Sequence, residues 1–277
     1  MPVAGDILLE GLESASGTGH TAMCLSNSTI VHATPGDGAV VVDDLDMLSG
    51  TVQVYSCRNP HVAAEAARLA EAWARPQIRT PFSDSTKMKS ASGYSEGRAL
   101  GISEANRNPE LRTFDFDALY RAFKWASNKG EKPFSKQRGT TCCPFVTACY
   151  QAAWIRYHFA NNDGAIAEVF DQLLSVRPAK APKEERVDVL HVTTSSGTKL
   201  GRRPFPQFAS VEGPIKEEVW TLIAKTAKRL SNHDLTTPAD LVTSALLVDA
   251  KFNSTRNLQS RLQGDGAHWS RQGDVTV

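Results

Sequence analysis

The chain has 277 residues, 41% of them hydrophobic, and its 31 Lys and Arg side chains nearly balance 30 Asp and Glu side chains, giving a formal net charge of +1. This length predicts one large domain or two small ones, and the apolar content excludes wholesale disorder. The balanced charge argues against a dedicated nucleic-acid-binding protein or a polybasic membrane protein.

The sequence shows no sign of a membrane span or a conventional export signal. No apolar stretch approaches the roughly 20 residues that a transmembrane helix requires. Residues 1–6 (MPVAGD) have no basic region and no long apolar run follows them, so we expect no conventional signal peptide. We therefore expect synthesis in the cytoplasm, with any export depending on a dedicated secretion system.

The first 60 residues predict β-structure. Short apolar or β-branched runs at 6–10, 20–25, 29–33, 39–42 and 51–55 alternate with polar and glycine-rich turns. Such runs are typical of antiparallel strands. The short polar turn at 26–28 joins two of them and predicts a hairpin.

Helical periodicity dominates the rest of the chain. We predict helices at 61–73, 115–127, 165–176, 214–230 and 238–248, with another that begins near Thr141 or Cys142. Pro144 fixes that start, because proline is tolerated only in a first helical turn. A strand is predicted at 186–192, a basic turn-rich loop at 195–206, a long loop at 76–110 and a polar C-terminal tail at 251–277. The overall prediction is a mixed α and β protein.

Cys142 is the strongest candidate for chemistry. The sequence contains five cysteines, an odd number without CxxC spacing, which favours neither a disulfide framework nor a structural zinc site. A helix start favours a thiolate, because its free amides and positive dipole end stabilise negative charge. His20 and His32 lie on the two strands of the predicted hairpin, so their rings can face the same way and touch. One imidazole could then accept the thiol proton while the other orients it. The alternative is that these are half-buried strand histidines without a catalytic role, and this alternative applies to His32 more than to His20.

Four short segments resemble the NlpC-type cell-wall peptidases, which are papain-like. GDIL at 5–8, GHTAM at 19–23 and IVHA at 30–33 are similar to the family's GDLV, HVGIY and IHA motifs. CCPFV at 142–146 shares Cys-x-x-Phe-Val with the nucleophile motif DCSGFV, and this match selects Cys142 over Cys143. The histidines precede the cysteine here, as in the circularly permuted branch of the superfamily. LTTPADL at 235–241 is similar to a late Thr-Pro-x-Asp-Leu segment of that branch.

The resemblance implies an α+β, papain-like fold in which an antiparallel sheet packs against the helix that begins at Cys142. The domain would span 1–250, including the loop at 76–110, with 251–277 as the tail. Cys142 would be the nucleophile, His20 the base and then the acid, and His32 the residue that orients His20. Neither a metal nor an organic cofactor is implied.

The implied function is a cysteine hydrolase that cleaves an amide bond through a Cys-His-His triad. The first expected substrate is a peptidoglycan stem peptide, and the missing signal then suggests a secreted antibacterial or host-directed effector with an immunity or chaperone protein as partner. One alternative is a protease, a deamidase or a lipid-amide or thioester acyl hydrolase acting on cellular or host targets. Another is a binding module that has lost catalysis.

Overall fold

A computed structural model of the chain describes residues 1–12, 19–34, 39–74, 76–78, 89–90, 112–127, 140–176, 187–194, 197–204 and 215–277. Most of the loop predicted at 76–110 lies outside these ranges. The described part is an α+β protein, as predicted, with a six-stranded antiparallel sheet and seven α-helices. No helix in the described ranges is long and apolar enough to cross a membrane.

The large sheet contains the early strands and one from the C-terminus. The ten strands are β1 (Ile7–Glu10), β2 (His20–Cys24), β3 (Thr29–Thr34), β4 (Ala39–Asp44), β5 (Thr51–Cys57), β6 (Pro76–Ile78), β7 (Lys89–Ser90), β8 (Val187–Thr194), β9 (Gly197–Pro204) and β10 (Trp269–Thr276). The order across the large sheet is β10-β5-β1-β2-β3-β4, and every neighbouring pair is antiparallel. β6 pairs with β7 and β8 pairs with β9 in two small separate sheets. The five predicted early strands and the hairpin of β2 and β3 are confirmed.

The helices follow the predicted order. They are α1 (Pro60–Ala74), α2 (Phe116–Ala126), α3 (Cys142–His158), α4 (Asp163–Ser175), α5 (Glu217–Ser231), α6 (Pro238–Val242) and α7 (Thr255–Gly264). The predicted start of α3 is confirmed, because Thr141 is its extended N-cap residue and Pro144 lies in its first turn. α6 ends earlier than predicted, at Val242, because Thr243 adopts a positive φ of 69°.

Alternate strand residues point to opposite faces of the sheet. Both faces carry buried apolar side chains. One face packs against α1 and α3 in the main core, to which the strands contribute side chains such as Met23, Val31 and Tyr55. The other face holds a smaller cluster, Leu8, Ala22, Cys24, Ile30, Leu48, Val52 and Val54. α3 is buried along nearly its whole length, so the residue at its start is held firmly against the sheet.

Two segments differ from the sequence prediction. The loop predicted at 195–206 contains β9, which pairs along its full length with β8. The tail predicted at 251–277 contains α7 and β10, and β10 forms an edge of the large sheet. The polar residues that suggest a tail lie in the middle of β10, which is exposed, whereas Trp269 at its start is buried.

Gly5 shows why the motif at 5–8 begins with glycine. Its φ is +89°, in a region that side chains disfavour, and a Cβ there would lie 2.5 Å from the carbonyl oxygen of Ala63. The hydroxyl of Tyr150 donates to the Gly5 carbonyl. Asp6 accepts hydrogen bonds from the Val3 amide at 2.8 Å and the Ser56 hydroxyl at 2.5 Å. This segment therefore anchors β1 to α1 and α3.

Candidate functional site

Cys142 occupies a helix start whose amides are left available. Thr141 is extended (φ −122°, ψ 173°), but its side chain makes no capping hydrogen bond. Its buried hydroxyl has no partner among the described residues. A threonine at this position would ordinarily accept from an amide of the first turn. The backbone amides of Cys142 and Cys143 instead act on the Cys142 thiol and lower its pKa.

Two groups from other elements also lie close to this thiol and lower its pKa. One is the backbone N–H of Thr21, which directly follows His20 on β2, and the other is the hydroxyl of Thr255 at the start of α7. The pairing of β2 with β3 ends at Ala22 and His32. The Cys142 sulfur therefore meets β2 just beyond this point, one residue from His20.

A chain of hydrogen bonds starts at His20. Its Nε2 lies 2.7 Å from Nδ1 of His32, and Nε2 of His32 lies 2.9 Å from Oδ2 of Asp43. The two rings meet edge to face with centroids 4.9 Å apart. The predicted contact between the hairpin histidines is therefore confirmed. Asp43 reaches His32 from β4, where its backbone is opposite Ile30.

This chain determines where the protons lie. An ionised carboxylate only accepts hydrogen bonds, so the Asp43 contact requires a proton on Nε2 of His32. A neutral His32 then presents an unprotonated Nδ1, and Nε2 of His20 must donate to it. Nδ1 of His20 is left with a lone pair. The arrangement thus assigns Nδ1 of His20 as the basic nitrogen.

Burial keeps both the His20 imidazole and the Cys142 thiol uncharged at neutral pH. Burial, together with the charge of His32, lowers the pKa of His20 to about 4, against a smaller opposing effect of Glu10. Burial raises the pKa of the Cys142 thiol, although the three amides and the Thr255 hydroxyl act in the opposite direction. This net direction is the reverse of the one that the helix start predicts, because desolvation outweighs the helix-start donors. At neutral pH the site holds a thiol and a neutral imidazole.

The hydroxyl groups of Thr21 and Thr255 contact each other close to the Cys142 sulfur. Their hydroxyl oxygens lie 2.8 Å apart, and the Thr255 hydroxyl also donates to the Gly19 carbonyl at 2.8 Å. A hydroxyl has a single hydrogen to donate. Thr255 can therefore give that hydrogen either to Gly19 or to the Cys142 sulfur when the sulfur becomes negative.

The structure thus brings the Cys142 sulfur to β2 at Thr21. The strand register places His20 and His32 on the opposite face of the sheet from α3, together with Ala22 and Ile30. Sequence reasoning missed Asp43 and Thr255. The hairpin of β3 and β4 contained a signal for Asp43, since the residues at positions 30, 32 and 43 share one face of that hairpin. Thr255 gave no signal, because its segment was predicted to be a tail.

The other cysteines behave as packing residues. Cys24, Cys57, Cys143 and Cys149 are buried, and burial raises the pKa of Cys24 to about 12 and that of Cys57 to about 11. Within the described ranges, no group of three or more His, Cys, Asp or Glu side chains could hold a metal ion.

Comparisons of the chain with protein-family models, curated proteins and solved structures find no match. The function proposed for this chain therefore depends on the geometry around Cys142 and His20, together with the motif resemblance. The motif resemblance implies Cys142 as nucleophile and His20 as base, and the structure places Asp43 against His32.

Proposed function

We propose that the chain is a cysteine hydrolase of papain-like, permuted NlpC-type fold that cleaves an amide or thioester bond. One observation carries the proposal. The thiol at the start of α3 lies against β2 at Thr21, the neighbour of His20, and His20 ends a hydrogen-bonded chain through His32 to Asp43. A nucleophile, a base and groups that orient the base are the parts that covalent catalysis requires.

The proposed reaction starts from the neutral pair. In the proposed step the Cys142 sulfur attacks the carbonyl carbon and its proton passes to Nδ1 of His20. This transfer requires the His20 ring, at the first residue of β2, to reach the face of the sheet that packs against α3. The His32 and Asp43 contacts stabilise the imidazolium that forms. His20 then returns the proton to the leaving amine or thiol, which leaves an acyl group on Cys142. Water, deprotonated by His20, releases the acid and restores the thiol.

The charge on the carbonyl oxygen needs its own donors. The amides of Cys142 and Cys143 lie in the uncapped first turn of α3 and lower the pKa of the Cys142 thiol. An oxygen bonded to a carbon on that sulfur falls within reach of the same amides, and the helix dipole adds to their effect. The Thr141 side chain does not compete for them.

The raised pKa of Cys142 favours a second candidate, a binding module that keeps the fold without turnover. Such a module needs a pocket beside the thiol but no proton transfer. The hydrogen-bonded chain from His20 to Asp43 argues for the hydrolase, because it fixes the tautomer of His20, which a binding module does not need. Loss of function in a Cys142 variant separates the two candidates.

The substrate that we propose first is a peptidoglycan stem peptide. The support for it is the motif resemblance at 5–8, 19–23, 30–33 and 142–146, together with a site that needs only a carbonyl group from its substrate. An exported antibacterial or host-directed effector would fit this substrate. Protein and lipid acyl substrates are the next to test.

The test is bacterial growth with the chain expressed in the cytoplasm or directed to the periplasm, with Cys142→Ala in each compartment. Cys57→Ala is the control, since it removes a thiol that the mechanism does not use. Lysis in the periplasm alone, lost in Cys142→Ala and kept in Cys57→Ala, supports a cell-wall hydrolase. Toxicity that survives Cys142→Ala contradicts the hydrolase. No lysis in any arm contradicts the cell-wall substrate, and a panel of soluble peptide and acyl reporters then decides whether turnover exists.

A further inference from the structure

A pocket lies beside α7, on a different side of that helix from Thr255. Six residues line it: Arg112, Thr113, Phe114, Pro238, Leu247 and Arg261. It encloses about 320 Å³, at the lower end of the range of roughly 300–1,000 Å³ for small-molecule sites. Because Thr255 and Arg261 are six residues apart on a helix of 3.6 residues per turn, they face different directions. The pocket is therefore separate from the contacts of Cys142.

Two guanidinium groups are fixed at this pocket. Nη1 of Arg112 donates to Oδ1 of Asn257 at 3.1 Å, and Asn257 in turn donates to Oδ1 of Asn253 at 2.7 Å. Nη1 of Arg261 donates to the Ser244 carbonyl at 2.9 Å. These bonds orient both arginines before any ligand arrives, which lowers the entropic cost of binding.

The charges in the pocket are of one sign. None of its six lining residues is acidic, and both arginines are half-buried. Burial lowers the pKa of both, and for Arg261 the positive charge of Arg112 adds to the lowering. The two cations therefore repel each other in a partly desolvated place, and an anion between them would relieve that repulsion.

We propose that this pocket binds a small molecule that carries an oxyanion, a phosphate or a carboxylate, beside an apolar group. Guanidinium groups present paired N–H donors that match the oxygens of phosphate and carboxylate. Phe114, Pro238 and Leu247 form the apolar part of the lining, so the ligand has an apolar portion as well as a charge. This inference uses no residue of the proposed catalytic site.

Isothermal titration of the full chain with phenyl phosphate, benzoate and inorganic phosphate tests the proposal. We expect saturable one-to-one binding of phenyl phosphate or benzoate, tighter than that of inorganic phosphate, and the tighter of the two identifies the anion. Arg261→Gln should weaken binding by about tenfold or more, as expected for loss of a charge-assisted hydrogen bond. Arg256→Gln is the matched control, because it removes the same charge from an exposed position on the same helix. Absence of saturable binding, or an equal loss in both variants, overturns the proposal.

A measurement on the unaltered chain guards against a variant that fails to fold. Phenylglyoxal modifies accessible arginines, and mass spectrometry of the digested protein locates the modified residues. Bound phenyl phosphate or benzoate should slow modification of Arg112 and Arg261 and leave Arg256 unchanged. Equal protection of all three arginines, or protection of none, contradicts a site at this pocket.

Discussion

Nε2 of His32 lies 2.9 Å from Oδ2 of Asp43, and this contact fixes the proton positions on two histidines. Because the carboxylate can only accept, it holds the Nε2-protonated tautomer of His32 and, through it, directs the lone pair of His20 to Nδ1. The side chain of His32 is 7% exposed and that of Asp43 is 31% exposed. Water can therefore reach this position and accept part of the hydrogen bonding from His32 that Asp43 accepts in the unaltered chain.

Asp43→Asn should consequently reduce kcat/KM by about tenfold to 100-fold, less than the loss of His20 itself, because the base survives but its tautomer is no longer fixed. Asp44→Asn, which removes the same charge from the next and exposed residue, should have little effect. Nitrogen-15 NMR of labelled histidine supplies a second readout. It should show Nε2-protonated His20 in the unaltered chain and a mixture of tautomers in Asp43→Asn. An unchanged tautomer would assign Asp43 a merely structural role.

The pH dependence of the proposed activity follows from the pKa of His20. Because burial and His32 lower that pKa to about 4, the base stays neutral down to about pH 4. We expect kcat/KM for a soluble reporter to stay level from neutral pH down to about pH 5 and to fall near pH 4. A free histidine would give a fall near pH 6.5. An acid limb near pH 6.5 would show that His20 is not the base or that its environment in solution differs.

The thiol of Cys142 should be alkylated slowly at neutral pH. Burial raises its pKa, so the thiolate fraction is small, and the rate with iodoacetamide should still rise above pH 9. Thr255→Val removes a hydroxyl that lowers this pKa and should move the profile to still higher pH. Thr255→Ser keeps the hydroxyl and serves as the control. A rate that is already at its plateau at pH 7 would instead indicate a thiolate at rest.

The sequence predicted the start of α3 and the contact between His20 and His32 better than it predicted the groups around them. Pro144 placed the start of α3, and the strand runs at 20–25 and 29–33 placed His20 beside His32, so local patterns were enough to fix these positions. The direction of the Cys142 pKa could not be predicted, because it depends on how closely distant segments enclose the sulfur. Burial is a property of the packed molecule, whereas the helix dipole is visible in the sequence.

The segments that were mispredicted lack strong periodicity. β9 contains Gly197, Gly201 and several basic residues, which weaken the alternation typical of a strand. α7 buries mainly Leu258 and Leu262 with Thr255, too few residues to stand out. β10 pairs with β5, and Thr255 at the start of α7 contacts Thr21. These partners lie far away in sequence, so a local pattern does not reveal them.

Trp269 offers a direct test that the C-terminal segment belongs to the fold. Its side chain is 1% exposed, and its ring meets that of Tyr150 edge to face at a centroid distance of 4.8 Å. Trp269→Ala should lower the free energy of unfolding by about 3–5 kcal/mol, as for other large buried aromatic residues. Arg271→Ala, at an exposed position of the same strand, should change it by about 0.5 kcal/mol or less. Urea unfolding followed by circular dichroism measures both, and equal small effects would contradict a packed β10.

A second histidine pair should make stability depend on pH. Nδ1 of His158 lies 3.0 Å from Nδ1 of His233, and burial together with the charge of His233 lowers the pKa of His158 to about 4. Asp240 opposes this lowering, and His268 adds to it. Between about pH 6.5 and pH 4 the unfolded chain therefore binds more protons at this residue than the folded chain. The free energy of unfolding should fall as pH decreases through that range.

We expect His158 to contribute on the order of 2 kcal/mol to this fall. His20 and the paired carboxylates also titrate in acid, so the informative quantity is the difference between variants. His158→Asn should lower stability at neutral pH but flatten its decline between pH 6.5 and pH 4. His61→Asn, at an exposed position of α1, should leave the decline unchanged. Urea unfolding at several pH values gives each curve, and parallel curves for His158→Asn and the unaltered chain would show that His158 does not titrate with a lowered pKa.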